Sequence, residues 1–229
     1  MAIVECEGLS KTYQQGKVTV RALSDVNLSV AAGGFVALAG PSGSGKTTLL
    51  NLIGGLDRAD AGHIVVDGRD YSDLTSAEMA DLRLRRIGFV FQAYNLIPVL
   101  SAIENVEYVM LLQGVAAAER RRRAQRMLDD VGLAGKYDRR PAELSGGQQQ
   151  RVAVARAIVS DPSIVLADEP TANLDSKTGE ELLQLMLQMN QVHQVTFIFS
   201  THDRMVMDYA RRIILIRDGC IAADQDKAV

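Results

Sequence analysis

Residues 35–53 decide the fold of this chain, and they read FVALAGPSGSGKTTLLNLI. The apolar start predicts a buried strand, and the leucines and isoleucine at the end recur at helical spacing. The glycine-rich turn between them lets backbone N–H groups face an anion, and a helix N-terminus favours negative charge. Strand, turn and helix in this order match the P-loop pattern and predict a site for a polyphosphate.

Nine consecutive residues of this turn are candidate ligands. The Lys46 ammonium would bridge the outer phosphates, and the Thr47 hydroxyl would reach a magnesium ion bound with them. The ligand that this combination favours is magnesium ATP. A merely flexible loop is the alternative, but it leaves the flanking strand and helix unexplained. The predicted phosphate-binding residues are Gly40, Pro41, Ser42, Gly43, Ser44, Gly45, Lys46, Thr47 and Thr48.

A second apolar strand ends in two acidic residues, since residues 164–169 read IVLADE. A carboxylate at the tip of a buried strand beside a P-loop is placed to hold magnesium, and the next one can orient or deprotonate an attacking water. We therefore predict that Asp168 is the metal ligand and Glu169 is the base. Isolated acids at strand ends are more often helix caps or solvated turns, which is the alternative interpretation.

Two single polar residues follow further apolar strands. Gln92 comes after residues 87–91, and His202 comes after residues 197–201. Ligands of α/β sheets bind at the carboxyl ends of the strands, so both side chains are expected beside the phosphate loop. A histidine at such a position is otherwise an ordinary structural hydrogen-bonding residue.

Residues 144–148 read LSGGQ and open a predicted helix. Ser145 at the cap, followed by Gly146, Gly147 and Gln148, predicts a second anion-binding helix end. One phosphate chain needs only one cradle, so the second would serve a nucleotide held by another copy of the chain, arranged head to tail. A plain helix cap is the alternative.

Composition limits the classes of function. The 229 residues have a formal net charge of -3 and 47% hydrophobic content, enough for one domain with a real core and without the bulk charge of a nucleic-acid binder. No apolar run reaches the ~18 residues of a spanning helix, so a membrane role would need a partner. The basic run at residues 120–123 indicates a solvated helix face, with anionic lipid contact as the alternative. Cys6 and Cys220 are predicted to be buried thiols in a reducing compartment.

The remaining pattern predicts an α/β fold. It combines a P-loop NTPase core and a mainly parallel sheet with an antiparallel β flank and a helical subdomain insert. In the insert, Ser101 and Glu104 form a capping box for a helix through Leu112, and a second helix runs over about residues 117–131. We predict one domain, residues 1–229, with a core at about 1–92 and 160–229, a helical subdomain at about 93–159, and a tail at 224–229 that frays. The predicted strands cover residues 3–6, 18–22, 26–30, 35–39, 64–66, 87–91, 164–167, 196–199, 213–216 and 221–223.

Taken together, these motifs resemble the ATPase subunit of an ATP-binding cassette (ABC) transporter, and the resemblance covers nearly the whole chain. One departure lies in the segment before Leu174 and Asp175, where many relatives have Ser-Ala or Ser-Gly and this chain has Ala172 and Asn173. The matching segments are residues 40–47 (Walker A), Gln92 (Q-loop), residues 144–148 (signature), residues 164–168 with Glu169 (Walker B and catalytic acid), residues 172–175 (D-loop) and His202 (H-loop).

The resemblance implies roles for these residues. Glu169, His202 and Gln92 would act in catalysis, with His202 contacting the γ-phosphate. Gln92 would also bind nucleotide and magnesium, and Asp175 would join Ser145 to Gln148 at the nucleotide of a second copy. Tyr13 falls where the family places an aromatic residue against adenine; by itself it is an edge packing residue more often than not. The implied cofactors are ATP and Mg²⁺.

Partners follow from the same resemblance. We expect an ATP-dependent homodimer and an integral membrane permease, so that the chain lies in the cytoplasm, peripheral on the inner membrane. Residues 51–57, 95–98 and 101–106 are similar to the branch of lipoprotein-releasing, macrolide-exporting and cell-division cassettes. Residues 94–100 and 104–108 would form the groove for the permease, or equally be subdomain core. A soluble cassette of iron-sulfur cluster assembly is the alternative function.

Overall fold

Six strands of one mainly parallel sheet position the site. The computed structural model describes residues 2–16 and 18–227. In sheet order these strands are β10 (Cys220–Asp226), β9 (Arg212–Arg217), β3 (Phe35–Ala39), β8 (Thr196–Thr201), β7 (Ile164–Asp168) and β6 (Ile87–Val90). All neighbours pair in parallel except β9 and β10. The parallel sheet expected from the uniformly apolar strands is confirmed.

A second sheet is antiparallel and flanks the first. In sheet order its strands are β2 (Val18–Ala31), β1 (Ala2–Gln15), β4 (Ala61–Val66) and β5 (Arg69–Asp70). The two strands predicted at residues 18–22 and 26–30 are one continuous strand, β2. β1 extends well past the predicted residues 3–6, because register shifts near Gly8 let a bent chain keep pairing with β2.

Seven α-helices cover the sheets in the described part of the chain. Ser101 caps α3 in a capping box with Glu104, and the predicted starts of both helices in the insert are confirmed. These two helices and α5 lie in sequence between β6 and β7. The helices are α1 (Lys46–Ile53), α2 (Ser76–Arg86), α3 (Ala102–Leu112), α4 (Ala117–Asp130), α5 (Gly146–Ile158), α6 (Ser176–His193) and α7 (Arg204–Tyr209), and short 3₁₀ turns lie at Tyr71–Asp73 and Pro141–Glu143.

The core consists of two apolar clusters, one on each face of the large sheet. Phe35, Phe197 and Phe199 point into the cluster that packs against helices α3 to α6. Leu38 and Ile198 point into the other cluster, which includes α1 and the antiparallel sheet. Every residue of β3 and β8 is buried, because both faces are covered.

The polar tail departs from its prediction. Residues 224–226 do not fray but complete β10, since Asp224 accepts two hydrogen bonds from the Arg212 guanidinium at 2.7 and 2.6 Å. These hydrogen bonds, opposed by partial burial, hold the pKa of the Asp224 carboxyl below its usual value. Lys227 adds a backbone hydrogen bond to the Arg211 carbonyl. Residues 228 and 229 of the predicted tail lie outside the described residues.

The cysteines divide into one buried and one exposed thiol. Cys6 is 3% exposed, and burial raises the pKa of its thiol to about 12. The prediction that Cys220 is also buried was wrong, because the first residue of β10 lies at the surface. Its Sγ lies 3.5 Å from the Ser24 carbonyl oxygen.

The basic run on α4 forms contacts within the chain. Arg122 pairs with Glu119, Arg123 pairs with Asp161, and Arg121 lies 3.4 Å from Asp138. Three of the four basic side chains thus pair with acidic groups of the chain itself, as is common on a solvated helix face. Among the described residues, no helix is long and apolar enough to cross a membrane.

Candidate functional site

Two glycines of the turn after β3 are required, because neighbouring backbone lies too close to them to leave room for a side chain. Gly40 has φ 154°, and a Cβ there would lie 2.2 Å from the Ile216 carbonyl oxygen of β9. Gly45 has φ 107°, and a Cβ there would lie 2.5 Å from the Ala22 carbonyl oxygen. Gly45 is also the N-cap of α1, and it provides no side-chain cap for the first N–H groups. This helix start therefore keeps backbone donors for an anion, as predicted.

Lys46, the first residue of α1, is held inside the turn. Its side chain is largely buried, and its Nζ donates hydrogen bonds to the carbonyl oxygens of Gly40 and Pro41, each at 2.8 Å. Within residues 2–16 and 18–227, no carboxylate pairs with this buried ammonium, whose partners are carbonyl oxygens. An anionic ligand at the helix start would supply a counter-charge.

One cleft of about 610 Å³ collects most of the predicted site residues. Such a volume lies within the range of ligand sites. Tyr13 and Val20 line it together with the turn, and Gln92 and His202 line it from the carboxyl ends of β6 and β8. The cleft thus joins five parts of the chain that are distant in sequence: the β1–β2 hairpin, the glycine-rich turn with the start of α1, Gln92, the end of β7 with the residues after it, and His202. Its other predicted residues are Pro41, Ser42, Gly43, Gly45, Lys46, Thr47, Thr48, Asp168 and Glu169.

Asp168 lies at the end of β7 and contacts two hydroxyl groups. Thr47 Oγ1 donates to its Oδ1 at 3.1 Å, and Ser200 Oγ donates to the same oxygen. Ser200 stands directly beside Asp168 in the parallel register of β7 and β8. Our sequence interpretation missed Ser200, although this residue lies near the carboxyl end of β8 as Asp168 lies at the end of β7.

Glu169 and His202 form a pair at the neighbouring strand ends. The Nδ1 atom of His202 lies 2.8 Å from Oε1 of Glu169. The Glu169 side chain is 16% exposed and the His202 side chain 65%, so the imidazole lies on the open side of the carboxylate. Glu169 has φ 45°, a left-handed conformation that is uncommon for glutamate and that recurs at functional sites.

The predicted signature residues lie elsewhere on the molecule. Ser145 caps α5, with its Oγ accepting from the Gln148 N–H at 3.3 Å while Gln148 Oε1 accepts from the Ser145 N–H at 3.2 Å. A Cβ at Gly147 would lie 2.4 Å from Cγ2 of Thr178 at the start of α6. None of the residues at 145–148 is among those that line the P-loop cleft. The structure therefore does not bring the two predicted anion sites of one chain together.

The segments at residues 92 and 173 are joined by a hydrogen bond. Asn173 Nδ2 donates to the Gln92 carbonyl oxygen at 2.8 Å, so the residue at which this chain departs from the resemblance contacts the Q-loop of its own chain. Gln150 is fully buried on α5, and its amide donates to the Pro170 carbonyl oxygen at 2.8 Å. Asp175, predicted to reach a second copy, caps α6 by accepting from the N–H and hydroxyl of Thr178. The sequence analysis predicted neither the contact of Asn173 nor that of Gln150.

Few of the described side chains are suited to binding a metal ion. No group of three or more His, Cys, Asp or Glu side chains suited to a metal occurs in residues 2–16 and 18–227. Magnesium in nucleotide enzymes usually keeps one or two carboxylates, with waters and substrate phosphates as the other ligands. Asp168 and Thr47, 3.1 Å apart at the helix start, fit that incomplete set.

Three comparisons with known proteins agree with this geometry. A sequence profile described as "ABC transporter" matches residues 23–172 of the 229-residue chain. The chain is 46% identical over 227 residues to an uncharacterized ABC transporter ATP-binding protein of Thermotoga maritima, covering 99% of this chain and 97% of that protein. It is also similar to a solved dimeric ATP-binding cassette in a post-hydrolysis state bound to ADP and Pi, with a TM-score of 0.90, 42% identity, and coverage of 99% and 100%.

A longer relative is matched over a part of its length. The chain is 49% identical over 223 residues to the macrolide export ATP-binding/permease protein MacB of Syntrophobacter fumaroxidans. This match covers 96% of the chain but 31% of the relative, so the chain spans about a third of that protein.

Fold and site define a P-loop nucleotide-binding cassette. The family match and the similarity over the whole chain go further: the chain belongs to the ABC transporter family. Its fold is that of the ATPase cassette of that family.

Proposed function

We propose that this chain binds and hydrolyses ATP in the P-loop cleft and uses the cycle to drive a membrane transporter. One observation carries the proposal. The uncapped start of α1, the buried Lys46 and the Glu169–His202 pair all border a single cleft. These groups supply, respectively, phosphate binding, charge neutralisation and activation of water.

The phosphate end of the cleft would bind the triphosphate through the backbone N–H groups of the turn and α1. Lys46 is held beside these groups by two carbonyl oxygens, and it would exchange them for oxygens of the outer phosphates. Thr47, Asp168 and Gln92 are the side chains that would hold Mg²⁺, which when bound neutralises charge on the transferring phosphate. Tyr13 also lines the cleft, and its ring would stack on adenine.

Glu169 is proposed as the general base for the attacking water. Water oxygen forms a bond to the γ-phosphorus, the bond from that phosphorus to the β–γ bridging oxygen breaks, and ADP leaves with this oxygen. The water proton passes to the Glu169 carboxylate. His202 lies 2.8 Å from that carboxylate on its open side, and it would orient the carboxylate and contact the γ-phosphate.

A second copy of the chain would complete each site. Ser145, Gly146, Gly147 and Gln148 begin a helix outside the cleft of their own chain, which leaves them for the nucleotide of a partner. The similar solved cassette is a dimer in a post-hydrolysis state, which supports this arrangement. We propose a head-to-tail homodimer with two shared nucleotides, in which Asp175 also faces the partner.

Dilution tests the dimer. Because each copy would supply only part of a site, the ATPase rate per chain should rise with protein concentration and fall toward zero when the protein is diluted below its dimer Kd. The measurement is steady-state phosphate release at saturating ATP over a wide range of protein concentrations. A rate per chain that stays constant down to concentrations at which sizing shows monomers alone would contradict the shared site.

An apolar surface beside the Q-loop would meet the membrane partner. Val99 and Tyr108 are 71% and 40% exposed, and Leu112 at the end of α3 is 56% exposed. Asn105 and Val106, within residues 104–108, are fully buried. Each interpretation of residues 94–100 and 104–108 therefore fits some of these residues. The buried ones belong to the core of the proposed helical subdomain, and the exposed ones would be available to bind a permease. The chain would then lie in the cytoplasm against the inner membrane.

Capture of the native complex from membranes tests the transport role. A tagged chain, solubilised in mild detergent, should co-purify with one integral membrane protein or be part of it. Replacing exposed Val99, Tyr108 and Leu112 by serine should release that subunit while leaving basal ATP hydrolysis within about twofold. Recovery of soluble iron-sulfur assembly proteins instead would support the alternative function, which the relatives named as export and transporter proteins disfavour.

A further inference from the structure

The turn after α1 carries an acidic residue that contacts Tyr13, the residue proposed to stack on adenine. Asp57 follows α1 by four residues, and its N–H donates to the Asn51 carbonyl oxygen at 3.4 Å. Leu56 donates to the same carbonyl at 2.9 Å. Asp57 is therefore tied to the C-terminal end of the helix whose N-terminal end forms the phosphate cradle.

Both carboxylate oxygens of Asp57 are used. Tyr13 Oη donates to Oδ2 at 2.7 Å, and Lys11 Nζ donates to Oδ1 at 2.9 Å. Lys11 Nζ also donates to the Arg58 carbonyl oxygen at 2.6 Å. Partial burial opposes ionisation, but hydrogen bonds from Tyr13 and Lys11 hold the pKa of the Asp57 carboxyl below its usual value.

Lys11 covers the Tyr13 ring on one side. Its Nζ lies over the ring, 5.1 Å from the centroid, which is within the distance for a cation–π contact. Tyr13 lines the P-loop cleft, whereas Lys11 is not among the residues that do. The ammonium therefore leaves the cleft side of the ring open for a base.

Beyond Ser10, the strand that carries Tyr13 pairs with one strand and has one further backbone hydrogen bond, from the Thr12 N–H to Asp60 Oδ2 at 2.7 Å. β1 pairs with β4 as far as Ser10, and beyond that residue it pairs with β2 alone, Tyr13 lying opposite Val20. Isolated two-stranded hairpins are marginally stable in water, and a tyrosine on one retains its side-chain rotations. A hydrogen bond to the ring's distal end removes those rotations.

We propose that Asp57 is a positioning residue for nucleotide binding: it fixes the Tyr13 ring, through the hydroxyl and through Lys11, in the orientation that stacks on the base. Asp57 itself does not touch the nucleotide. The inference rests on the proposed function, because it assumes that ATP occupies the cleft with its base at Tyr13. Preorganising one side chain in this way strengthens binding by about two- to tenfold.

A matched pair of variants tests the inference. Asp57→Asn retains shape but leaves one carbonyl oxygen for three donors, which are Tyr13 Oη, Lys11 Nζ and the Arg58 N–H. Asp73→Asn makes the same charge change at an exposed residue that does not line the P-loop cleft. Calorimetric Kd values are measured for ATP and for inorganic tripolyphosphate, which has no base. We expect Asp57→Asn to weaken ATP binding about two- to tenfold, with tripolyphosphate binding within twofold of the wild type, and Asp73→Asn to leave both within twofold.

Two tyrosine variants complete the experiment. Tyr13→Phe keeps the ring and loses the hydroxyl, so it should reproduce the loss of Asp57→Asn, and the double variant should add less than the product of the two losses. The inference is overturned if Asp57→Asn binds ATP like Asp73→Asn, or if ATP and tripolyphosphate weaken equally, which would mean damage to the cradle. Tyr13→Ala should weaken ATP binding about tenfold. If it does not, the stacking in the proposed function is wrong. If only Tyr13→Ala weakens ATP binding, the proposed function stands and the role of Asp57 is wrong.

Discussion

ATP turnover falls by about 10²- to 10⁴-fold when Glu169 is replaced by glutamine, the usual contribution of a positioned general base. The amide retains the shape of the side chain, and it can still contact His202, but it cannot accept a proton from water. Because ATP then stays bound without being cleaved, the variant should accumulate as an ATP-bound dimer, stabilised by ligand linkage. Phosphate release and size-exclusion chromatography with and without ATP measure the two effects.

The control for this variant is Glu5→Gln, the same change at an exposed position on β1. It should hydrolyse ATP at the wild-type rate and show no ATP-dependent shift in elution. A Glu169→Gln protein with more than a tenth of wild-type turnover would refute the base assignment. One that is inactive yet monomeric at high protein and ATP concentration would refute dimer closure by the chain alone.

Removal of the His202 imidazole is the second large effect. His202→Ala should lose about 10- to 10³-fold in turnover, the range for deleting one preorganised polar group at a transferring phosphate. ATP affinity should stay within about threefold, because His202 is 65% exposed at the rim and the cradle of the turn is untouched. Single-turnover phosphate release and ATP titration separate the rate from the affinity.

His63→Ala is the matched control, since His63 is exposed on β4 and does not line the P-loop cleft. Combining His202→Ala with Glu169→Gln should cost little more than Glu169→Gln alone, because the two side chains act as a pair. Retained turnover in His202→Ala would count against its role, and fully multiplicative losses would mean that the two residues act independently.

Sequence was most informative where a pattern is local. The buried strands β3, β7 and β8 are continuous apolar runs, and the P-loop turn combines glycine spacing with a strand and a helix on its two sides. Their ends therefore had to meet at one sheet edge, which predicted the cleft. The predicted elements omit α2, α6 and α7, and they shorten β1 and β10. The residues omitted from these two strands are largely exposed and polar, without apolar alternation, although they pair with the neighbouring strands β2 and β9.

The sequence did not predict the contacts between segments that are far apart along the chain. Ser200 reaches Asp168 across 32 residues, and Asn173 reaches Gln92 across 81. No spacing rule relates these pairs, because the register of β7 with β8 and the course of two loops bring them together. The same holds for Asp57 and Tyr13, which are 44 residues apart. The motifs predicted the residues of the phosphate site, and the fold revealed the additional side chains that contact them.

The unequal cysteines give the molecule a natural attachment point for a spectroscopic label. Thiol reagents attack the thiolate, so a Cys6 with a pKa of about 12 is nearly inert at neutral pH while the surface Cys220 stays accessible. Cys220 follows Gly219, whose N–H donates to the Ser44 carbonyl oxygen at 3.0 Å. A fluorophore on Cys220 would thus report motions of the phosphate loop in the wild-type chain, without engineered cysteines.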